Sequence, residues 1–132
     1  MPDTRYHPEC RLVTWHPRGL LDDRLADRIV EFMESKERIG GKPFHRFTDL
    51  SGLERLTIEL DHVFEIAQRR RKSYRGARVK SAFYAVRLIS LAIAQMYQEL
   101  MEESAIEVGV FRDRAAAAKW LGVPVETLNP AA

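Results

Sequence analysis

Apolar positions recur along the chain at the three- and four-residue steps of amphipathic helices. Over residues 21–33 this spacing predicts a helix with Asp22 or Asp23 at its amino terminus, where either carboxylate can accept free backbone amide hydrogens. A second stripe with the same spacing covers residues 53–67 and predicts a helix that begins at Leu53. Charged residues occupy the remaining positions of both helices, so each helix presents one apolar face to a core.

Short runs of β-favouring residues alternate with these helices. Residues 4–15, broken at residues 7–9, predict an N-terminal hairpin. The other predicted elements are strands at residues 44–48, 79–86 and 106–111, a helix at residues 87–103, and a final helix capped by Asp113. This order predicts an α/β fold, with a mixed, mostly parallel sheet of about five strands flanked by about four helices. The chain is expected to form one domain over residues 1–132, with residues 123–132 as a loose tail.

Composition narrows the class of protein. The 132 residues carry 21 Lys and Arg against 19 Asp and Glu, a net charge of +2 that predicts no polyanionic partner such as nucleic acid. The single cysteine, Cys10, cannot form an intramolecular disulfide, and the amino terminus has no secretory pattern. Charged and amide side chains interrupt the most apolar segment, residues 82–101, so no membrane span is predicted. We expect a cytoplasmic protein.

Three segments carry a likeness to a known family. They are the run Leu12-Val13-Thr14-Trp15 with the later Gly19, the run Asp49-Leu50-Ser51-Gly52, and the run Val110-Phe111-Arg112-Asp113 followed by Ala118-Lys119-Trp120-Leu121-Gly122. With the order of elements, they resemble the SpoIIAA-like branch of the STAS family, which includes small bacterial proteins compared with lipid-binding Sec14 domains. The resemblance implies a non-enzymatic regulatory module that binds another protein.

The resemblance also directs attention to a phosphorylation site. In STAS antagonists of anti-sigma factors, a phosphorylated serine begins a helix soon after the corresponding strand. Here Gly52 is followed by Leu53 without the Asp-Ser-Ser-Gly element that presents that serine. The family position therefore falls only on Ser51 or Thr57 as substitutes.

Asp49, Ser51 and Gly52 form the first candidate site. They follow a predicted strand, at the end of an α/β sheet where ligands bind and free amides attract anions. We expect this end and the helix beginning at Leu53 to form a surface for a partner protein. The alternative role for Asp49 and Ser51 is capping of the turn.

Two other functions stay open. The first is binding of a lipid or small apolar ligand between the sheet and the side carrying Gly40 and Gly41. Its candidate lining residues are Trp15, Phe83, Met96, Tyr97, Leu100, Met101 and Trp120. The other is a weak hydrolase-like activity that combines Asp49 and Ser51 with a histidine.

The remaining polar clusters predict little chemistry. His7, His16, His45 and His62 include no pair at the four-residue spacing of helical metal ligands, and no cofactor motif occurs, so neither a metal nor a cofactor is predicted.

The densest basic run is Arg69, Arg70, Arg71 and Lys72. It is either an anion-binding patch or a solvated helix end favoured by the helix dipole. An exposed edge strand in the N-terminal hairpin offers a route to a homodimer.

Overall fold

The structure is a computed structural model that describes residues 1–131. Its strands are β1 (Thr4–His7), β2 (Leu12–Trp15), β3 (Gly19–Leu21), β4 (His45–Asp49), β5 (Leu53–Leu56), β6 (Val79–Tyr84) and β7 (Ile106–Phe111). Its α-helices are α1 (Asp23–Ile39), α2 (Leu60–Ser73), α3 (Leu88–Leu100) and α4 (Arg114–Leu121). Within residues 1–131, every helix is too short or too polar to cross a membrane.

Five strands form the central sheet in the order β1-β2-β4-β6-β7. The β1–β2 hairpin is antiparallel, and the other three pairings are parallel. The strand β2 is buried at all four positions, as expected for a strand covered on both faces. The predicted α/β class, with a mixed sheet of about five strands and four helices, is confirmed.

The prediction of a helix beginning at Leu53 is wrong. Residues Leu53–Leu56 form β5, which pairs in parallel with β3 as a second, two-stranded sheet. The backbone amide of Thr57 donates to the carbonyl of Leu21, which keeps the chain extended beyond β5. Leucines three positions apart fit a helix or a short strand equally well, and the long-range pairing decides between them. The helix α2 therefore begins only at Leu60.

The helices cover the two faces of the central sheet unequally. On one face, α4 packs against Leu12, Phe47 and Ala82. The other face, which carries Arg46, Thr48, Ser81 and Phe83, lies beneath α1, α2 and α3. Alternation along each strand separates the two sets, since neighbouring residues point to opposite faces. Charged Arg46 thus faces the same layer as the apolar stripes of three helices.

Part of the segment predicted to be a loose tail, residues 123–132, is packed. Val125–Leu128 form a 3-10 turn, and Leu128 is fully buried against the α4 face of the sheet. Its carbonyl oxygen accepts a hydrogen bond of 2.8 Å from Nε2 of His16. The burial of Leu128 therefore holds this segment against the sheet. Residue 132 lies outside the described residues.

Truncation of this anchor tests its contribution to stability. We expect Leu128→Ala to lower the free energy of unfolding by about 2–5 kcal/mol, because it leaves a cavity in a packed core. Val125→Ala, in the same turn but 37% exposed, should change it by less than about 1 kcal/mol. Urea denaturation of both variants measures the difference, and equal small effects would show that the segment is loosely held.

Candidate functional site

A cavity of about 140 Å³ lies between the sheet and the three helices on its larger covered face. Each helix contributes apolar side chains to its wall: Ile29 and Val30 from α1, Val63 and Ile66 from α2, and Ile93 and Ala94 from α3. Ala26 and Ala94 are small residues on buried faces of α1 and α3, so the helices pack against the sheet without filling the space between them. The amphipathic stripes that predicted the helices therefore also build this cavity.

Polar side chains line one part of the same cavity. Arg46 on β4 and Arg70 on α2 are each only 4% exposed, and Thr48, Ser81 and Tyr97 accompany them. Burial raises the pKa of the Tyr97 hydroxyl, so it stays protonated and can donate a hydrogen bond. The cavity thus combines a hydrocarbon wall with a compact set of hydrogen-bond donors, as small-molecule sites do.

Glu37 near the end of α1 holds the two arginines together. Its Oε2 atom accepts hydrogen bonds of 2.5 Å from Nη2 of Arg46 and 2.5 Å from Nη2 of Arg70. Beside it, Glu34 accepts two hydrogen bonds, of 3.0 and 2.6 Å, from Arg69 and lies 3.8 Å from Arg70. These contacts tie α1, α2 and β4 to one another.

The buried charges of the cluster balance. Arg46 and Arg70 supply two positive charges against the two negative charges of Glu34 and Glu37, while the side chain of Arg69, which also pairs with Glu34, is 41% exposed. Burial lowers the pKa of the Arg46 guanidinium, an effect that Glu37 opposes and Arg70 reinforces, yet a guanidinium stays protonated in proteins. Its Nε atom is buried and has no hydrogen-bond partner among residues 1–131. One donor of a charged residue that lines the cavity therefore remains unmatched.

The predicted partner surface at Asp49, Ser51 and Gly52 is partly covered in the structure. Asp49 is only 2% exposed, and its carboxylate accepts hydrogen bonds from the backbone amide of Ser51 at 2.9 Å and from the hydroxyl of Ser51 at 2.5 Å. It also accepts two hydrogen bonds, of 3.1 and 2.8 Å, from Arg114 of α4. The carboxylate therefore caps the turn Leu50–Gly52 and anchors α4, and only Gly52 of the three predicted residues is exposed.

These residues do not assemble into a hydrolase-like site. The hydroxyl of Ser51 donates to Asp49 and has no histidine beside it as a base. The nearest histidine, His16, has its Nε2 atom 3.8 Å from the Asp49 carboxylate and bonded to the carbonyl of Leu128, so that nitrogen carries a hydrogen. Thr57, the other predicted phosphosite substitute, is exposed between β5 and α2.

His7 and His16 line one pocket, whereas His45 and His62 lie elsewhere. The described residues, 1–131, contain no group of three or more histidine, cysteine, aspartate and glutamate side chains that could hold a metal ion. Nδ1 of His45 accepts a hydrogen bond of 2.9 Å from the backbone amide of Lys80, which requires a neutral ring. Burial lowers the pKa of His45, and nearby Lys80 adds to that shift.

The basic run at the end of α2 does not form one exposed patch. Arg70 is buried at the cavity, Arg69 is paired with Glu34, and Arg71 donates to the carbonyls of Leu100 and Glu102. Only Lys72 is both exposed and uninvolved in these bonds. The sequence analysis thus placed Arg70 on an exposed surface and did not identify Arg46 as a site residue. The sequence signal for Arg46 was its position between Phe44 and Thr48 in an alternating pattern, which places all three on one covered face of the sheet.

The predicted apolar pocket is partly realised. Trp15, Phe83 and Tyr97 line the cavity, whereas Met96, Leu100, Met101 and Trp120 do not. Trp120 instead packs with the core on the α4 face of the sheet. Gly40 and Gly41, expected beside the pocket, do not line it. The cavity lies deeper, under the middle of the helices.

The arrangement of elements is that of a SpoIIAA-like fold. A crystal structure of an uncharacterised protein from the DUF3478 family of Shewanella loihica PV-4, described as having a SpoIIAA-like fold, is similar with a TM-score of 0.57. The likeness covers 89% of this chain and 90% of that chain, at 14% sequence identity. No protein-family model and no curated protein matches the sequence. The SpoIIAA-like resemblance is confirmed at the level of the fold, and the neighbour's function is uncharacterised.

Substitution of Asp49 separates a capping role from a binding role. Because its carboxylate accepts hydrogen bonds from Ser51 and Arg114, Asp49→Ala should lower the free energy of unfolding by about 2 kcal/mol. Ser51→Ala, which retains the Arg114 contact, should cost less. Thermal and urea denaturation measure both effects. If Asp49→Ala left stability unchanged but abolished binding of a ligand or partner, the result would support a binding role for Asp49 over a capping role.

Proposed function

We propose that this protein binds a small, largely apolar molecule in the cavity beneath α1, α2 and α3 without converting it chemically. The observation that carries the proposal is the cavity itself, about 140 Å³ of space inside a small domain. Protein interiors are normally packed with few voids larger than a water molecule. An apolar cavity of about 150 Å³ is large enough to hold benzene.

Energetics favour an occupied cavity. The space is partly open to solvent, and nearly all of its exposed lining is apolar. Water in the cavity therefore meets mostly hydrocarbon surface. A ligand that contacts the walls would recover dispersion energy and exclude water from the hydrocarbon surface.

The lining favours binding over catalysis. Its polar side chains are Arg46, Thr48, Arg70, Ser81 and Tyr97. Activation of a serine or threonine hydroxyl as a nucleophile normally needs a base within hydrogen-bond reach. The lining contains no histidine, cysteine or carboxylate to act as that base, which supports a carrier or sensor over an enzyme.

A regulatory module that binds another protein is the second candidate, and exposed apolar side chains favour it. Leu60 and Phe64 lie one turn apart at the start of α2, and Leu88 and Ile89 begin α3; all four are at least 47% exposed. Exposed apolar side chains that form a contiguous patch are a common feature of protein contact surfaces. A partner would thus contact the start of α2 and α3 instead of Asp49. The two functions are compatible, since ligand occupancy beneath these helices would alter the surface they present.

Filling the cavity tests ligand binding directly. Ala94→Leu adds three carbon atoms to the cavity wall and should abolish binding of benzyl alcohol, a neutral probe of suitable size. Ala92→Leu makes the same change on the exposed side of α3 and should leave binding unchanged. Amide chemical shifts of Ile29, Val63 and Ile93 during an NMR titration report the binding.

The folded state of both variants is checked by circular dichroism before titration. Saturable shifts in the parent protein and in Ala92→Leu, but not in Ala94→Leu, are expected. Absence of saturable shifts in the parent protein, or unchanged binding by Ala94→Leu, would contradict a ligand-binding cavity.

A further inference from the structure

The polar end of the cavity indicates which chemical group the ligand carries. We propose that the ligand is a small carboxylic acid whose carboxylate binds Arg46 and Arg70, while its hydrocarbon part contacts the apolar walls. This inference rests on the proposed function, because it names the class of ligand that the same cavity accepts. Two features of the site support it: the unmatched donor on Arg46 and the size of the cavity.

The type of acceptor follows from the donor that it meets. Buried Arg46 and Arg70, each 4% exposed, are balanced by Glu34 and Glu37, and the side chain of Arg69 is 41% exposed, so the cluster holds no surplus buried charge. A hydrogen bond from a guanidinium to an ionised acceptor is stronger than one to a neutral acceptor. The free donor on Arg46 therefore favours a carboxylate over a hydroxyl.

The donors on Arg46 have a geometry suited to a carboxylate. Nη2 of Arg46 is bonded to Glu37, whereas its buried Nε atom donates to no atom of residues 1–131. A guanidinium presents its N–H groups in a planar fork that matches the two oxygens of a carboxylate. The hydroxyls of Thr48, Ser81 and Tyr97 line the same cavity and supply further donors.

The size of the cavity limits the rest of the ligand. A volume of about 140 Å³ fits one aromatic ring or a chain of about six carbons, since about 150 Å³ holds benzene. A lipid with two acyl chains does not fit this space. The ligand class is therefore a ring-sized or short-chain apolar acid.

A purely structural role for the arginines explains less. Pairing with Glu37 accounts for Nη2 of Arg46 and for both Nη atoms of Arg70 but leaves the Arg46 Nε atom unmatched. Since Glu37 occupies donors on both arginines, it competes with an incoming carboxylate. A ligand-binding role thus predicts that removing the Glu37 charge strengthens acid binding, which a structural role does not.

Two ring compounds, one with an anionic and one with a neutral polar group, test the inference. Benzoate and benzyl alcohol share one ring, and their dissociation constants are measured by NMR titration at pH 7. Benzoate should bind the parent protein about tenfold more tightly, the factor that one charge-assisted hydrogen bond supplies. Arg46→Gln should remove this preference and leave the affinity for benzyl alcohol within about twofold.

Two further variants keep the test decisive. Glu37→Gln retains an acceptor for the arginines and should increase benzoate affinity severalfold, so the inference remains testable if Arg46→Gln fails to fold. Arg71→Gln removes one positive charge at the position after Arg70, outside the cavity. This control variant should preserve the preference for benzoate over benzyl alcohol.

The outcomes separate the two proposals. Equal affinity for benzoate and benzyl alcohol, or unchanged benzoate binding by Glu37→Gln, would overturn the carboxylate inference and leave the apolar cavity standing. Tighter binding of phenyl phosphate than of benzoate would also overturn it. Binding of neither ring compound would overturn the proposed function and this inference together.

Discussion

The contact of Glu37 with both Arg46 and Arg70 is the interaction on which the larger covered face of the sheet depends. It joins the end of α1, the end of α2 and the middle strand of the sheet through groups that are almost fully buried. Removal of one member would leave an uncompensated charge in the interior, a loss of about 3–5 kcal/mol. The two helices are therefore held at a fixed distance from Arg46. With Ala26 and Ala94 on the facing surfaces, that distance leaves the cavity open.

The fold and the cavity carry different kinds of information. A SpoIIAA-like fold describes the order of strands and the covering of the sheet, but one fold supports many unrelated functions. The specific chemistry of this chain lies in the arginines that face the helical layer. At 14% identity, the structural neighbour supplies no residue-level evidence for that chemistry. Function must therefore be tested at the cavity.

Most elements could be predicted because local periodicity determines them. Three signals are each contained within about ten residues: the apolar stripe of α1, the apolar run of β6 and the Asp113 cap of α4. The strand β5 could not be predicted, since Leu53 and Leu56 fit two periods and only pairing with β3 distinguishes them. The packing of Leu128 depends in the same way on a contact with a distant strand.

The candidate site was harder to predict than the fold. Asp49 and Ser51 were placed correctly at a strand end, but the partner that occupies the carboxylate, Arg114, is 65 positions away in sequence. Arg70 belongs to a basic run that resembles a solvated helix end. Only the tertiary structure shows that its side chain is buried and bonded to Glu37. A charged residue on the covered face of a predicted central strand, as Arg46 is, was the one local sign of the site.

The most direct measurement is a crystal structure of the protein soaked with 4-bromobenzoate, with data recorded at the bromine absorption edge. The ligand-binding account predicts an anomalous bromine peak among Ile29, Val63 and Ile93, with the carboxylate within hydrogen-bond distance of Arg46. Well-defined protein density with an empty cavity, or bromine peaks only on the surface, would contradict it.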